Sequence, residues 1–242
     1  NIDVGSNNFT LTPKNLFKSR VEILSHTIKL DPDLILISGR MDHDYLFIAK
    51  KFRKKINIVT VQDSMYQFSI KQLLKTFFSQ YLYHQYFNKF WGIGLSQTRF
   101  AKSIGFQEKN IKDGFYVADK KFFENRITIN YQNNKNFNFL FIGRLVKEKN
   151  ILTLAKVLDK INYQFNSQHS LSVIGKGRLL SRLLKHKCVK YFGFKTQQEI
   201  IDIAQKSHAF ILPSLYEPWG VVVHEMAAIG LPLLVSSLCG SS

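Results

Sequence analysis

Short apolar, β-branched runs alternate with helix-period segments along the whole chain, and that alternation dictates parallel βαβ units rather than an all-helical or all-antiparallel fold. The rhythm occurs twice. In the first half Asp33 to Gly39 reads as a buried strand, Tyr45 to Arg53 as a helix, Ile56 to Val61 as a strand, Phe68 to Trp91 as a long helix and Trp91 to Ser96 as a short strand. Between Asn125 and Asn138 the chain carries no carboxylate, and it has five Asn from 130 to 138, the composition of a linker. The second half restarts with the strand Phe139 to Gly143. It continues through a helix from Asn150 to Lys160, a strand Leu171 to Gly175, a helix Arg178 to His186 and a strand Val189 to Phe192. A helix Gln197 to Lys206, a strand Ala209 to Pro213, a helix Trp219 to Ile229 and a strand Leu231 to Val235 close the series. The expected division is a first α/β domain over 1–125, a linker over 126–137 and a second α/β domain over 138–242.

With 242 residues and 45% hydrophobic side chains the chain has material for one large core or two modest ones. Its 34 Lys and Arg against 17 Asp and Glu give +17 at pH 7, which points to anionic partners: nucleotides, nucleic acid or acidic lipid surfaces. Cys188 and Cys239 lie far apart with no Cys/His cluster, so neither a disulfide framework nor a zinc site is expected, and a reducing cytoplasm is the default compartment. The longest apolar stretch, Gly220 to Leu238, is interrupted by His224, Glu225 and Pro232, too early for a spanning helix. Lacking an initiator Met and ending just after a strand-like run, the chain reads as a piece whose natural ends are missing.

Two segments carry chemistry. In Phe141-Ile-Gly-Arg-Leu-Val-Lys-Glu-Lys-Asn150, Gly143 at a strand end lets a ligand approach the backbone. Arg144 and Lys149 supply a forked guanidinium and an ammonium suited to a diphosphate. A solvated Lys-rich loop reads the same decapeptide equally well. In Pro213-Ser-Leu-Tyr-Glu-Pro-Trp-Gly-Val-Val-Val-His-Glu225, Glu217 stands before a helix start whose free amides near Gly220 suit an anion. Glu225, eight positions on and flanked by Val221, Val222, Val223 and Met226, needs polar partners such as ribose hydroxyls. The competing reading makes Glu217 a cap and Glu225 half of an ordinary ion pair.

These segments resemble the retaining, nucleotide-sugar-dependent glycosyltransferases of the GT-B type, family 4 (glycosyl transferases group 1). The resemblance runs in order through Phe141 to Asn150, Val173-Ile-Gly-Lys-Gly177, Tyr191-Phe-Gly-Phe194, Glu217 to Glu225, and Gly230-Leu-Pro-Leu-Leu-Val235. It implies two Rossmann-like domains with parallel sheets facing across a cleft, here truncated at both ends. It implies a sugar moved from a nucleoside-diphosphate sugar to a glycan or lipid-linked acceptor, in the manner of polysaccharide, O-antigen or capsule biosynthesis. By the same resemblance Arg144 and Lys149 neutralise the diphosphate, Glu225 binds the ribose, and Glu217 acts on the transferred sugar as the catalytic carboxylate. The turn Gly193-Phe194-Lys195 holds the base, and the amides of Gly220 and Val221 touch sugar and phosphate. No cofactor and no metal is implied.

The first half departs from the family pattern. Gln62 and Asp63 stand where many relatives carry a His, and Asp113-Gly114 stands where Asn-Gly is usual. The family's opening strand and Gly-rich loop are missing ahead of Asp33, as are its final helices after Ser242. His43 and Asp63 are the candidates for the cleft in this half, and a solvated loop histidine reads His43 at least equally well. From Ser64 to Gln107 there is no carboxylate, and lysines are interleaved with aromatics. That stretch reads either as a face for an anionic membrane, which implies a cytoplasmic enzyme on the inner face of the plasma membrane, or as core aromatics with solvated lysines. A second carboxylate-free stretch runs from Ile161 to Gln198. No nucleic-acid-binding signature accompanies the charge, so no specific nucleic-acid partner is expected. An inactive sugar-nucleotide-binding protein is the other reading.

Overall fold

A computed structural model describes residues 10, 13–63, 79–127 and 136–241. The chain divides into two compact α/β units, Asn1–Gly114 and Phe115–Ser242.

In the first unit the helix α1 (Arg20–Leu30) precedes the strand β1 (Leu34–Ser38), and α2 (His43–Phe52) leads to β2 (Asn57–Gln62). After a helical stretch over 79–84 come β3 (Lys89–Ile93), α3 (Leu95–Ser103) and β4 (Ile111–Gly114). All four strands are parallel and lie in chain order, β1-β2-β3-β4, with Ile35 opposite Ile58 and Trp91 opposite Lys112. The strand expected over Trp91 to Ser96 starts two residues earlier and stops at Ile93, because Gly94 at φ 99° turns the chain directly into α3. Gly114 is the last residue of β4 rather than part of a turn. A Cβ there would overlap the Trp91 indole nitrogen, which restricts the position to glycine.

The described part of the aromatic series serves the core. Phe87 and Phe90 are fully buried, Tyr83 nearly so, and they pack with Phe100 and Phe106 around Ile58 and Ile104. That burial favours core packing over a membrane face for these rings, while Tyr81 is exposed. Residues 64–78, which hold much of the long helix expected over Phe68 to Trp91, lie outside the described residues, as does 128–135 of the expected linker. Among the described residues no helix is long and apolar enough to cross a membrane.

In the second unit α4 (Lys120–Glu124) precedes β5 (Asn138–Ile142). There follow α5 (Ile151–Phe165), β6 (Ser170–Ile174), α6 (Leu180–Leu183), β7 (Val189–Gly193) and α7 (Gln197–Ala204), then β8 (Ala209–Leu212), α8 (Val221–Ile229) and β9 (Leu233–Val235). The five strands are parallel in the order β7-β6-β5-β8-β9. The chain builds outward from β5 to β7, then crosses back to place β8 on the other side of β5. The order therefore reverses between β5 and β8, the topological position at which such sheets bind ligands beyond their strand ends. Phe141, Leu140, Phe210, Leu171, Met226 and Ile229 form the buried centre.

The boundary between units falls at Gly114/Phe115, ahead of the linker expected over 126–137. The reason is Phe122 on α4, which is fully buried in the second unit's core, where α4 packs on α8. The Ile127 N–H also donates to the Ile229 carbonyl at 2.7 Å.

Candidate functional site

The site is built where β5, β6 and β7 end. Past β5 the Gly143 N–H donates to the Ile174 carbonyl at 3.0 Å and the Leu145 N–H to Lys176 at 2.9 Å, while the Leu179 N–H returns to Leu145 at 3.1 Å. The Gly175 N–H donates to Gly193 at 2.7 Å, and the Tyr191 hydroxyl donates to the Gly175 carbonyl at 3.0 Å. Three glycine-bearing loops are thus tied into one floor. Leu145, fully buried, anchors the floor from beneath, which leaves Arg144 exposed above it.

Across the switch point, the loop after β8 is fastened to the same floor, since the Leu215 N–H donates to the Glu148 carbonyl at 2.8 Å. Glu217 is buried, forms a parallel bridge with Cys239, and accepts from the Gly240 N–H at 2.9 Å through its carbonyl. Its carboxylate forms an ion pair with the Lys149 ammonium, the two side chains being 10% and 12% exposed. Burial, and after it the like charge of Arg144, push Lys149 below the ordinary lysine range, and Cys239 partly offsets the fall. Burial pushes the neighbouring Cys239 thiol up, and Lys149 partly offsets the rise.

Trp219 is buried, stacks on Phe115 at 5.4 Å and donates its indole N–H to the Tyr116 carbonyl at 3.1 Å. This contact holds residue 219 outside the helix, so α8 begins at Val221 rather than at 219, with Gly220 as its left-handed N-cap at φ 80° and no side-chain cap. The Val223 N–H is taken up by the Gly220 carbonyl at 2.9 Å, which leaves the N–H groups of Val221 and Val222 at the start of the helix to face the switch point. Four residues after Val221, Glu225 shares its helix face and is half-buried. Burial, and then the Asp119 carboxylate, raise its pKa above the usual Glu value.

Gly143, Arg144, Lys149, Glu217, Gly220, Val221 and Glu225 thus all lie in the second unit, on loops that follow β5 and β8 or on the helix that leaves the latter. The Gly193-Phe194-Lys195 turn follows β7. Phe194 is exposed, with the Lys176 ammonium 5.9 Å from its ring centre. Lys195 is engaged elsewhere: its ammonium lies 2.6 Å from Glu199, which also closes a capping box with Thr196 at the start of α7. Lys195 first, with the Thr196 N–H and hydroxyl, holds the Glu199 carboxyl down at about 2.

His43 and Asp63 belong to the first unit, at the carboxyl ends of the neighbouring strands β1 and β2. His43 is an exposed first-turn residue of α2, and the Asp63 carbonyl accepts from the Gln97 side-chain amide at 2.8 Å. The free cysteines are both buried. Cys188 is remote from the site, and burial together with Asp159 pushes its thiol up to about 12. Among the described residues no group of three or more His, Cys, Asp or Glu is placed to hold a metal ion. Sequence reasoning missed Trp219 and Cys239 as site neighbours; no local pattern marks either, because their roles depend on Phe115 and Lys149.

Residues 123–242 match the model of the family described as Glycosyl transferases group 1. An uncharacterized glycosyltransferase of Methanocaldococcus jannaschii is 32% identical over 109 residues, covering 42% of this chain and 27% of the relative. Among solved structures, Anabaena HepE in complex with UDP and glucose aligns with a TM-score of 0.66 at 16% identity, over 94% of this chain and 65% of that one. The lipopolysaccharide outer core galactosyltransferase WaaB aligns with a TM-score of 0.63 at 16% identity, over 90% and 61%. This chain therefore spans about a quarter of that curated relative and under two thirds of either solved chain. Its two Rossmann-like units with parallel sheets have the fold of GT-B glycosyltransferase structures.

Proposed function

We propose that this chain carries the donor-binding half, and part of the acceptor half, of a retaining glycosyltransferase of family 4. In this reading it uses a nucleoside-diphosphate sugar. The observation that carries the proposal is the convergence of Arg144, the Lys149–Glu217 pair and the uncapped start of α8 at the β5/β8 switch point, inside the segment matched by the family model. Arg144, Lys149 and the amides of Gly220 and Val221 stabilise the leaving diphosphate as its charge grows, so the chemistry calls for no metal. Glu225 takes the ribose hydroxyls, the 193–195 turn takes the base, and Glu217 faces the transferred sugar and supports its developing positive charge. Retention follows from front-face attack assisted by the leaving phosphate.

HepE was solved with UDP and glucose, which makes a UDP-hexose the first donor to try. WaaB's role in lipopolysaccharide supports a glycan or lipid-linked acceptor in surface-polysaccharide assembly. The +17 charge would favour work at the anionic inner face of the plasma membrane, and salt-sensitive flotation with anionic liposomes tests that placement. The donor site is tested by calorimetry with UDP, GDP and their sugars on the parent, Arg144→Ala and Glu225→Ala. Binding by the parent, weakened about 10- to 100-fold in each variant, is expected from the loss of one charged hydrogen-bonding group. No binding at all, or equal binding by all three proteins, would overturn the assignment.

A further inference from the structure

The two cations assigned to the diphosphate stand in different states. Arg144 is exposed, whereas Lys149 is buried and already paired with Glu217, the carboxylate assigned to the sugar. The backbone on both sides of this pair is fixed. The loop carrying Glu217 is tied to the Lys147–Lys149 turn by the Leu215-to-Glu148 hydrogen bond, and Glu217 itself is tied to Cys239 and Gly240. A ligand phosphate can therefore reach the Lys149 ammonium only in competition with the Glu217 side chain. A buried carboxylate stripped of its cation is unfavourable unless new donors reach it. In an intact nucleotide sugar those donors are the hydroxyls of the transferred sugar; in a free nucleoside diphosphate the only hydroxyls are the ribose's, assigned to Glu225, and Glu217 then faces the phosphates as a like charge.

We propose that the Lys149–Glu217 pair discriminates the intact nucleotide sugar from the free nucleoside diphosphate. Each phosphate contact with Lys149 is opposed unless a sugar arrives with it. The inference rests on the donor site proposed above and adds a selectivity device to it. The pair penalises the leaving group left behind after transfer, which speeds its departure.

The test is titration of the whole chain with UDP and UDP-glucose, and with GDP and GDP-mannose, for the parent, Glu217→Gln, Glu217→Asp and Glu217→Gln combined with Lys149→Met. Glu217→Gln keeps the shape and removes the charge. It should bind the free diphosphate about tenfold tighter, a gain worth about 1.4 kcal/mol, with no gain for the sugar nucleotide. Glu217→Asp, whose shortened carboxylate draws back from Lys149, should move in the same direction by less, and it keeps the test open if the amide variant fails to fold. In a Lys149→Met background the Glu217→Gln gain should shrink below about threefold, since the two residues act as one coupled pair. If the parent binds a diphosphate and Glu217→Gln leaves both its affinity and the preference for intact donor within twofold, the selectivity role is wrong and the donor site stands. Should the parent bind none of the four ligands, the donor site fails and the selectivity role falls with it.

Discussion

At Gly175 the backbone has φ +134°, and an added Cβ would overlap the Gly143 carbonyl oxygen. Neither backbone can yield, because the 143–145 and 175–179 loops are hydrogen-bonded to each other. Gly175→Ala should therefore cost about 3 kcal/mol or more in urea unfolding, and it should weaken donor binding by shifting the Arg144 loop. Glu225 gives a prediction of opposite sign. Its carboxyl pKa is raised in the folded chain, by burial and then by Asp119, so the folded state holds that proton more tightly than the unfolded state does. The contribution is favourable below the unfolded Glu value near 4.3 and is lost as pH rises through the raised value. At pH 7 Glu225→Gln should thus raise the melting temperature by about 1–3 °C, an advantage that fades below about pH 4, while nucleotide-sugar affinity falls. A scan of melting temperature against pH for parent and variant checks both limbs. Arg144, Lys149, Glu217 and Glu225 stand out in the sequence because their side-chain chemistry and spacing are local facts, and the structure puts all four on the loops after β5 and β8 or on α8. Gly175 was visible only as one glycine in a five-residue motif, since the carbonyl that excludes a side chain lies 32 positions away.

Among the elements, β5 shows how composition misleads. Its first residue, Asn138, is the last of the Asn-rich run and lies ahead of the strand expected from Phe139, yet its side chain staples the amino end of the sheet. Its Oδ1 accepts from Ser170 at 3.1 Å and Ser172 at 2.9 Å, and its Nδ2 donates to the Lys206 carbonyl at 3.0 Å. Ser172 is buried, so Asn138→Ala should leave its hydroxyl without that acceptor and cost about 2–3 kcal/mol in chemical denaturation. A polar residue that satisfies other polar groups carries no apolar period, so the alternation that exposed the strands in sequence could not show it. The same blindness explains α5, which continues to Phe165 rather than stopping at Lys160. Tyr163 and Phe165 in its last turn are exposed and bury no face, and the stop is set by Asn166 in the left-handed region at φ 48°. For α6 the error runs the other way: Arg178 to His186 contains helical turns, but only Leu180–Leu183 forms a regular helix.

At the scale of the molecule, the doubling of the βαβ rhythm was legible because each sheet needs its own apolar strands and covering helices. The point of division was not, because it depends on which core claims one ring. Phe122 and the Phe115–Tyr116 pair that holds Trp219 precede the Asn-rich stretch in the chain but are built into the second unit. A fragment over 115–242 should accordingly unfold cooperatively in urea. A fragment over 126–242 would lack the fully buried Phe122 ring and the Phe115 and Tyr116 contacts of Trp219, keeping only the His224 ring beside it, and so would leave an apolar void beside α8 and a buried indole N–H without its acceptor. It should be less stable by at least about 3–5 kcal/mol, the range for truncating one buried Phe, and should weaken nucleotide-sugar binding because Trp219 sets where α8 begins. Equal unfolding midpoints for the two fragments would place the boundary back at residue 125 and reduce α4 to a passenger on the second core.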